Sequence, residues 1–531
     1  MSQNRVSSKK SMIKDSIKIT DLDIVKQTIN KAADYAKGLE STHYADIRVE
    51  ASQGTGAYSE DGNPKGAVKD WGLSIGVRVI AGKSMSASGF YGRQLGIPDF
   101  LKFEKTLKEA FLISHLRAIE NSKYKSKFVT HNPKQYNSIV STKLAPIKIT
   151  NTKIEAEFKI DPRGVKPHEI TDFVCKAALS AKKFHTNVKK VEVSAGTGIS
   201  RQIFVSSEGT LIDQSYTSTG GTVFVVATEN GKTPADLYHH TGNQLGFETI
   251  LNGKNTHEMD LVEFAKEIAN EAVLLSCAEP APQTSKDTTV VLDPDLVALF
   301  AHEIIGHPSE LDRAMKMETG YAGRSWFMKD FKDNMIGKQV GSHILTAFSD
   351  PTLKGGYGHY LYDDEGTPAR RVYHIRKGIY EDFMNSRETA AIFDSNPNGH
   401  YKANDASVVP LIRMSVSAIE AGHDDPKKII GDVEDGFYCV GHRIPSISES
   451  RENFQIAPRL IYKIKNGRLG EIYRDGRVTA DSKNFFMSID ALGSDFKIFA
   501  IPNCGKGQPM QSKQVGNGGP TARARAKIAR G

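Results

Sequence analysis

Apolar positions between about Ile17 and Lys37 recur in a helical rhythm and predict a helix. Ala45 to Glu50 alternates with period two and predicts a strand; Trp71 to Ile80 and Ser84 to Phe90 predict two more. Phe103 to Asn121 returns to helical spacing. Ser122 to Thr152 lacks periodicity, carries Asn-Pro and Ala-Pro punctuation, and reads as a loop or linker. Further on, Glu169 to Lys183 and Met259 to Ala278 predict helices. Lys190 to Gly196, Arg201 to Ser206 and Gly221 to Thr228 predict strands. Pro280-Ala281-Pro282 then breaks the pattern. Beyond it lie short β-like runs separated by glycine turns, among them Arg371 to Ile375, Leu411 to Val416, Leu460 to Lys465 and Glu471 to Tyr473.

Helices interleaved with antiparallel strands define an α+β chain. The breaker divides it into an N-terminal mixed domain, 16–279, and a β-rich C-terminal domain, 280–510. Residues 1–15 read as a basic disordered tail, and residues 511–531 as a tail that is Gly-rich and then basic, disordered at its end. A length of 531 residues agrees with more than one domain.

Charge changes this picture little. The formal net charge is +8, but residues 1–15 carry +3 and the stretch from Thr521 carries +4, leaving the body close to neutral. That distribution, with no zinc-finger, RRM or KH pattern, argues against a specific nucleic-acid binder. No apolar stretch approaches the ~20 residues that span a bilayer, and Met1 to Asp15 has no apolar core of a secretory signal. A cytoplasmic location without membrane attachment is the expectation. Cys175, Cys277, Cys439 and Cys504 are too sparse and scattered for a disulfide framework.

The chemistry concentrates after Thr288 to Leu292, a β-branched strand. Asp293 is a good helix cap, Pro294 suits the first helical position, and Leu296, Leu299, Phe300 and Ile304 mark one apolar face. His302 and Glu303 therefore lie on a helix, with His307 five residues after His302. The familiar metal pattern spaces its histidines by four. Five steps of ~100° would set them ~140° apart on an ideal helix, too far to share an ion. Gly306 is a poor helix former, and Pro308 disfavours the α region for His307. The helix should thus break, or carry a π-type bulge, between Ile305 and His307. Glu303 is placed to act as general base, taking a proton from water and passing it to a leaving amine. A catalytic zinc needs a third protein ligand and one open position; Glu310 and Cys504 are both candidates.

His302-Glu303-Ile304-Ile305-Gly306-His307-Pro308-Ser309-Glu310 resembles the signature of the TldD/PmbA family of metallopeptidases. Four further segments resemble that family in the same order. They are Gly76 to Gly82, Asp363-Asp364-Glu365-Gly366-Thr367-Pro368, Ile464-Lys465-Asn466-Gly467 and Asn503-Cys504-Gly505-Lys506-Gly507-Gln508, the last one residue tighter than the family form. The resemblance implies one zinc per chain held by His302, His307 and Cys504, with Glu303 as catalytic base. It also implies hydrolysis of small or unfolded peptides in a dimer cavity, the second subunit being another copy or a related chain. The competing reading is a non-catalytic scaffold or partner subunit with a structural metal. Asp363, Asp364 and Glu365 are candidates to line the cleft or hold a substrate amino terminus, and His359 to support the metal site. Ser122 to Gly253 carries no motif with an assigned role.

Overall fold

The computed structural model describes residues 16–131, 141–317, 323–443 and 445–530. It has the mixed helix-and-sheet architecture expected, built on three main sheets. Residues 1–15, expected to be a basic tail, lie outside the described residues.

The first sheet draws on residues 42–243. Its strands are long: Thr42–Glu60, Asn63–Ala81 and Val188–Ser206 each run 19 residues. The two short strands expected within Val188–Ser206 are one, paired without interruption along Thr42–Glu60. Gly196 and Gly198 dilute the apolar alternation there but leave the backbone ladder intact. The helices Leu22–Lys37 and Phe103–His131 pack on one part of this sheet, and Pro167–Lys182 and Leu261–Cys277 on another. Gly89 permits the tight approach of one of them: a Cβ there would lie 2.1 Å from the Ser114 carbonyl oxygen.

The expected loop over Ser122 to Thr152 is only partly one. The Phe103–His131 helix continues through its first ten residues, and Asn151–Ile154 adds a parallel strand to Leu211–Ala227. Residues 132–140 lie outside the described set.

The remaining sheets use residues 279–530. A six-stranded sheet contains Val416–Ile419, Gln511–Gly519 and Lys497–Lys506 side by side. A ten-stranded sheet places Ala522–Arg530 between Gly476–Asp481 and Thr288–Leu292. The expectation of a tail, disordered at its end, is therefore wrong for residues 511–530. Ala522, Ala524, Ala526 and Ile528 point inward and are at most 2% exposed. Arg523, Arg525 and Lys527 occupy the alternate positions. The run is a period-two strand whose inward residue is mostly alanine, so the basic residues dominate its composition and hide its pattern.

Arg48 and Arg78 rise from the first sheet and tie it to the rest. Arg48 donates to Asp364 Oδ2 at 2.9 Å and to the Val408 carbonyl at 2.7 Å. Arg78 donates to Glu365 Oε1 at 2.7 Å. Among the described residues, no helix is long and apolar enough to cross a membrane. All four cysteines are free.

Candidate metal centre

The centre is assembled at the end of the short helix Pro294–Phe300. Asp293 caps it, accepting from the Leu296 amide at 2.9 Å and the Gly441 amide at 2.9 Å. Residues 301–306 then continue as a π-helix, followed by a 3-10 turn at His307–Ser309. The His307 amide bonds the His302 carbonyl. Bonding from i+5 to i brings residues five apart onto one face, as α bonding does for residues four apart. Of the two expected irregularities, a break or a π-type bulge, the π form is present, but the expected push of His307 out of the α region by Pro308 is not. His307 keeps α-helical angles, φ −56° and ψ −46°, despite Pro308. The widened turn absorbs the extra residue, so His307 needs no displacement. The two imidazoles stand edge to face, 4.8 Å between centroids at 84°.

Cys504 enters from the Lys497–Lys506 strand, which pairs antiparallel with Gln511–Gly519. The ligand atoms of His302, His307 and Cys504 all lie within 4.8 Å of one another, and all three residues are buried. Cys504 Sγ is 3.7 Å from His307 Nε2. Zinc bonds of about 2.0 Å to nitrogen and 2.3 Å to sulfur in a tetrahedron would put N and S roughly 3.5 Å apart. Each imidazole is held from behind. His302 Nδ1 donates to Asn517 Oδ1 at 2.9 Å, and His307 Nδ1 donates to Glu310 Oε2 at 3.2 Å. These bonds leave both Nε2 atoms for the thiol side. Two imidazoles and a thiol, all inward and within one ion's reach, fit zinc.

Burial opposes ionisation of Cys504, but the charges of His302 and His307 outweigh it and hold the thiol well below its usual range. Reciprocally, burial depresses His302, yet the Cys504 charge and hydrogen bond push it up to about 9. The cluster is thus poised to carry a thiolate, the ligand form of cysteine. Burial would raise Glu303, but Arg451, His302 and His307 bring it down to about 2, leaving a carboxylate at neutral pH.

The other sequence candidates separate by position. Glu310 stands outside the cluster of ligand atoms: its Oε2 lies behind His307 at Nδ1, accepts from Arg313 Nη2 at 3.0 Å and is 3.4 Å from Lys506 Nζ. His359 donates from Nδ1 to the Pro351 carbonyl at 3.0 Å, apart from the cluster. Asp364 is taken by Arg48 and by Lys402 at 2.6 Å, and Glu365 by Arg78 and the Arg387 amide. These two acids lock the sheets together rather than present charge to a substrate. Two side chains at the centre carried no sequence signal. Arg451 forms an ion pair with Glu303 from about 150 residues downstream, and Asn517 orients His302 from inside the expected tail. The Asn517 interaction has a measurable consequence. Asn517→Ala should weaken zinc binding ~10–100-fold, read by competition with a chromogenic chelator.

Comparison with known proteins agrees with this geometry. Residues 285–529 match the PmbA/TldA metallopeptidase C-terminal domain, and residues 160–275 the central domain of the same family. A metalloprotease of Methanocaldococcus jannaschii is 28% identical over 492 residues, covering 93% of this chain and 98% of its own. The zinc metalloprotease TldD homolog of Saccharolobus solfataricus is 25% identical, covering 65% of this chain and 72% of its own. The fold also matches the crystal structure of TldE from Thermococcus kodakarensis, with a TM-score of 0.68 at 15% identity over 94% of this chain and all of that one. The protein is of the metallopeptidase class, hydrolases of peptide bonds. Within that class, the chain belongs to the TldD/PmbA family.

Proposed function

We propose that the chain hydrolyses small or unfolded peptides, with zinc held by His302, His307 and Cys504 and Glu303 as general base. The observation that carries this is a three-ligand set with a carboxylate on the residue next to the first ligand. Zinc bound there supplies Lewis acidity, lowering the pKa of a water molecule and polarising a carbonyl. The chain's own residues do the rest. Asn517 and Glu310 fix the imidazoles, so that no ligand rotates as substrate enters. Glu303 is ionised, able to accept a proton and return it to the departing amine. Arg451 holds that carboxylate in place until substrate competes for it.

A structural metal would call for a fourth protein donor. Glu310, the nearest by sequence, sits behind His307 at Nδ1 and outside the cluster of ligand atoms. This supports a site with an open position. The chain is proposed to act in the cytoplasm as a dimer, with a second copy or a related subunit; the likeness to a TldE structure supports the second arrangement.

Metal analysis is the direct test. Purified protein should carry about one zinc per chain, and Cys504→Ala should lose it or bind it far more weakly, with peptide hydrolysis falling in step. Wild-type protein that holds no zinc after loading would end the proposal.

A further inference from the structure

A cavity of about 400 Å³ lies between the first sheet and the Gln511–Gly519 strand. Its floor is one face of the long strands. Glu50 stands opposite Gln202, Ser52 opposite Ser200, and Ser200 opposite Tyr216. The other face of the same strands is apolar and packed, with Val49, Ala51, Ile199 and Ile203 in the core. The roof includes Lys402 and residues 512–514. That roof strand is the one hydrogen-bonded to the Cys504 strand, with Lys513 directly opposite Cys504 in register.

Some of the polar groups lining this space are satisfied within the protein. Lys402 is satisfied by Asp364, Tyr357 by the Thr219 carbonyl, Tyr360 by the Gly399 carbonyl and His359 by the Pro351 carbonyl. Gln202 Oε1 and the Tyr216 hydroxyl are buried without a hydrogen-bond partner, and Gln202 is only 4% exposed. Among the described residues, the half-buried Glu50 carboxylate and Lys513 ammonium make no hydrogen bond and no ion pair. They feel each other's charge yet do not meet. Burial pushes Glu50 up to about 7, offset partly by Lys513. A half-buried carboxylate and a half-buried ammonium held apart across one cavity, with two orphaned polar atoms in its walls, are costly without an occupant.

We propose that this cavity binds a short peptide of two or three residues in its zwitterionic form. Its ammonium group pairs with Glu50 and its carboxylate with Lys513. The volume suits a ligand of that size. The inference rests on the peptidase reading for its meaning, since such a peptide is what the proposed reaction produces or consumes, but its test does not depend on turnover.

The test is calorimetric titration of zinc-loaded Glu303→Gln protein with Ala-Ala, N-acetyl-Ala-Ala and Ala-Ala amide. Ala-Ala should bind, and each blocked form should bind at least tenfold more weakly. Lys513→Met should cost at least tenfold for Ala-Ala but nothing further for the amide, and Glu50→Gln should behave likewise with the acetylated form. Equal binding of free and blocked dipeptides overturns the proposal without any substitution in the cavity. So does Lys513→Met protein of unchanged melting temperature that binds Ala-Ala as before. If Ala-Ala binds as expected while wild-type protein cleaves no peptide, the peptidase reading fails and the cavity assignment stands.

Discussion

Glu303→Gln should leave zinc bound and lower peptide hydrolysis by ~10²–10⁴-fold, the usual contribution of a positioned acid–base group. Gln keeps the size of the side chain and one acceptor oxygen, so the ligand cluster beside it is undisturbed. It cannot accept a proton. The expected signature is a collapse of kcat with zinc stoichiometry unchanged. Arg451 makes the assignment sharper. Its guanidinium pairs with Glu303 and helps hold the carboxylate at about 2. The amide would lose that charge interaction, so Arg451 should become more mobile while the metal stays. Hydrolysis at the wild-type rate would remove Glu303 from the mechanism. Loss of zinc would show that its charge is needed for the ligand set rather than for catalysis.

Ending the chain after Thr521 should abolish cooperative folding. The missing segment, Ala522–Arg530, is flanked on both sides in the ten-stranded sheet and also pairs with Ala491–Leu492. Its removal strands the ladder groups of Gly476–Asp481 and Thr288–Leu292 and opens the core over four inward side chains. At about 1 kcal/mol net per backbone hydrogen bond, a strand bonded along both edges contributes on the order of 10 kcal/mol. That equals the whole stability of a typical domain, about 5–15 kcal/mol. Thr288–Leu292 leads directly into the helix bearing His302, so zinc binding should be lost as well. Arg525→Gln, a change at an outward position, should shift stability by less than ~0.5 kcal/mol. Thermal melts by circular dichroism separate the cases: a truncated chain that melts like the full one would mean this strand is dispensable.

These two expectations fall on opposite sides of what the sequence makes legible. The ligand site was readable because its determinants are local or carried by short motifs. Asp293-Pro294 starts a helix by capping chemistry, and a five-residue histidine spacing is incompatible with α geometry, so an irregular turn had to lie there. That inference needed only the pitch of a helix. Of the break and the π-type bulge that the sequence left open, the structure takes the π-helix, over 301–306, and leaves His307 helical.

Membership in the TldD/PmbA family was likewise legible, from five ordered segments. What the residues of those segments do was less so. Asp364 and Glu365 were candidates to line the cleft or hold a substrate amino terminus. The tertiary structure brings Arg48, Arg78 and Lys402 to them from distant strands, and buried pairing replaces solvation. Glu310 and Cys504 were both candidates by residue type; the resemblance pointed to Cys504, and the fold separates them by position, Glu310 behind His307 at Nδ1 and Cys504 beside the other side of both imidazoles.

By itself the sequence determined the α+β class, the helix that carries His302 and the need for an irregular turn, because each follows from periodicity or from chemistry within a few residues. The tertiary structure decided the fate of residues 511–530, the pairing of Arg451 with Glu303 and of Asn517 with His302, and the enclosure of Glu50 opposite Lys513. Those depend on strand order and register, which join residues hundreds of positions apart, and no local pattern specifies them.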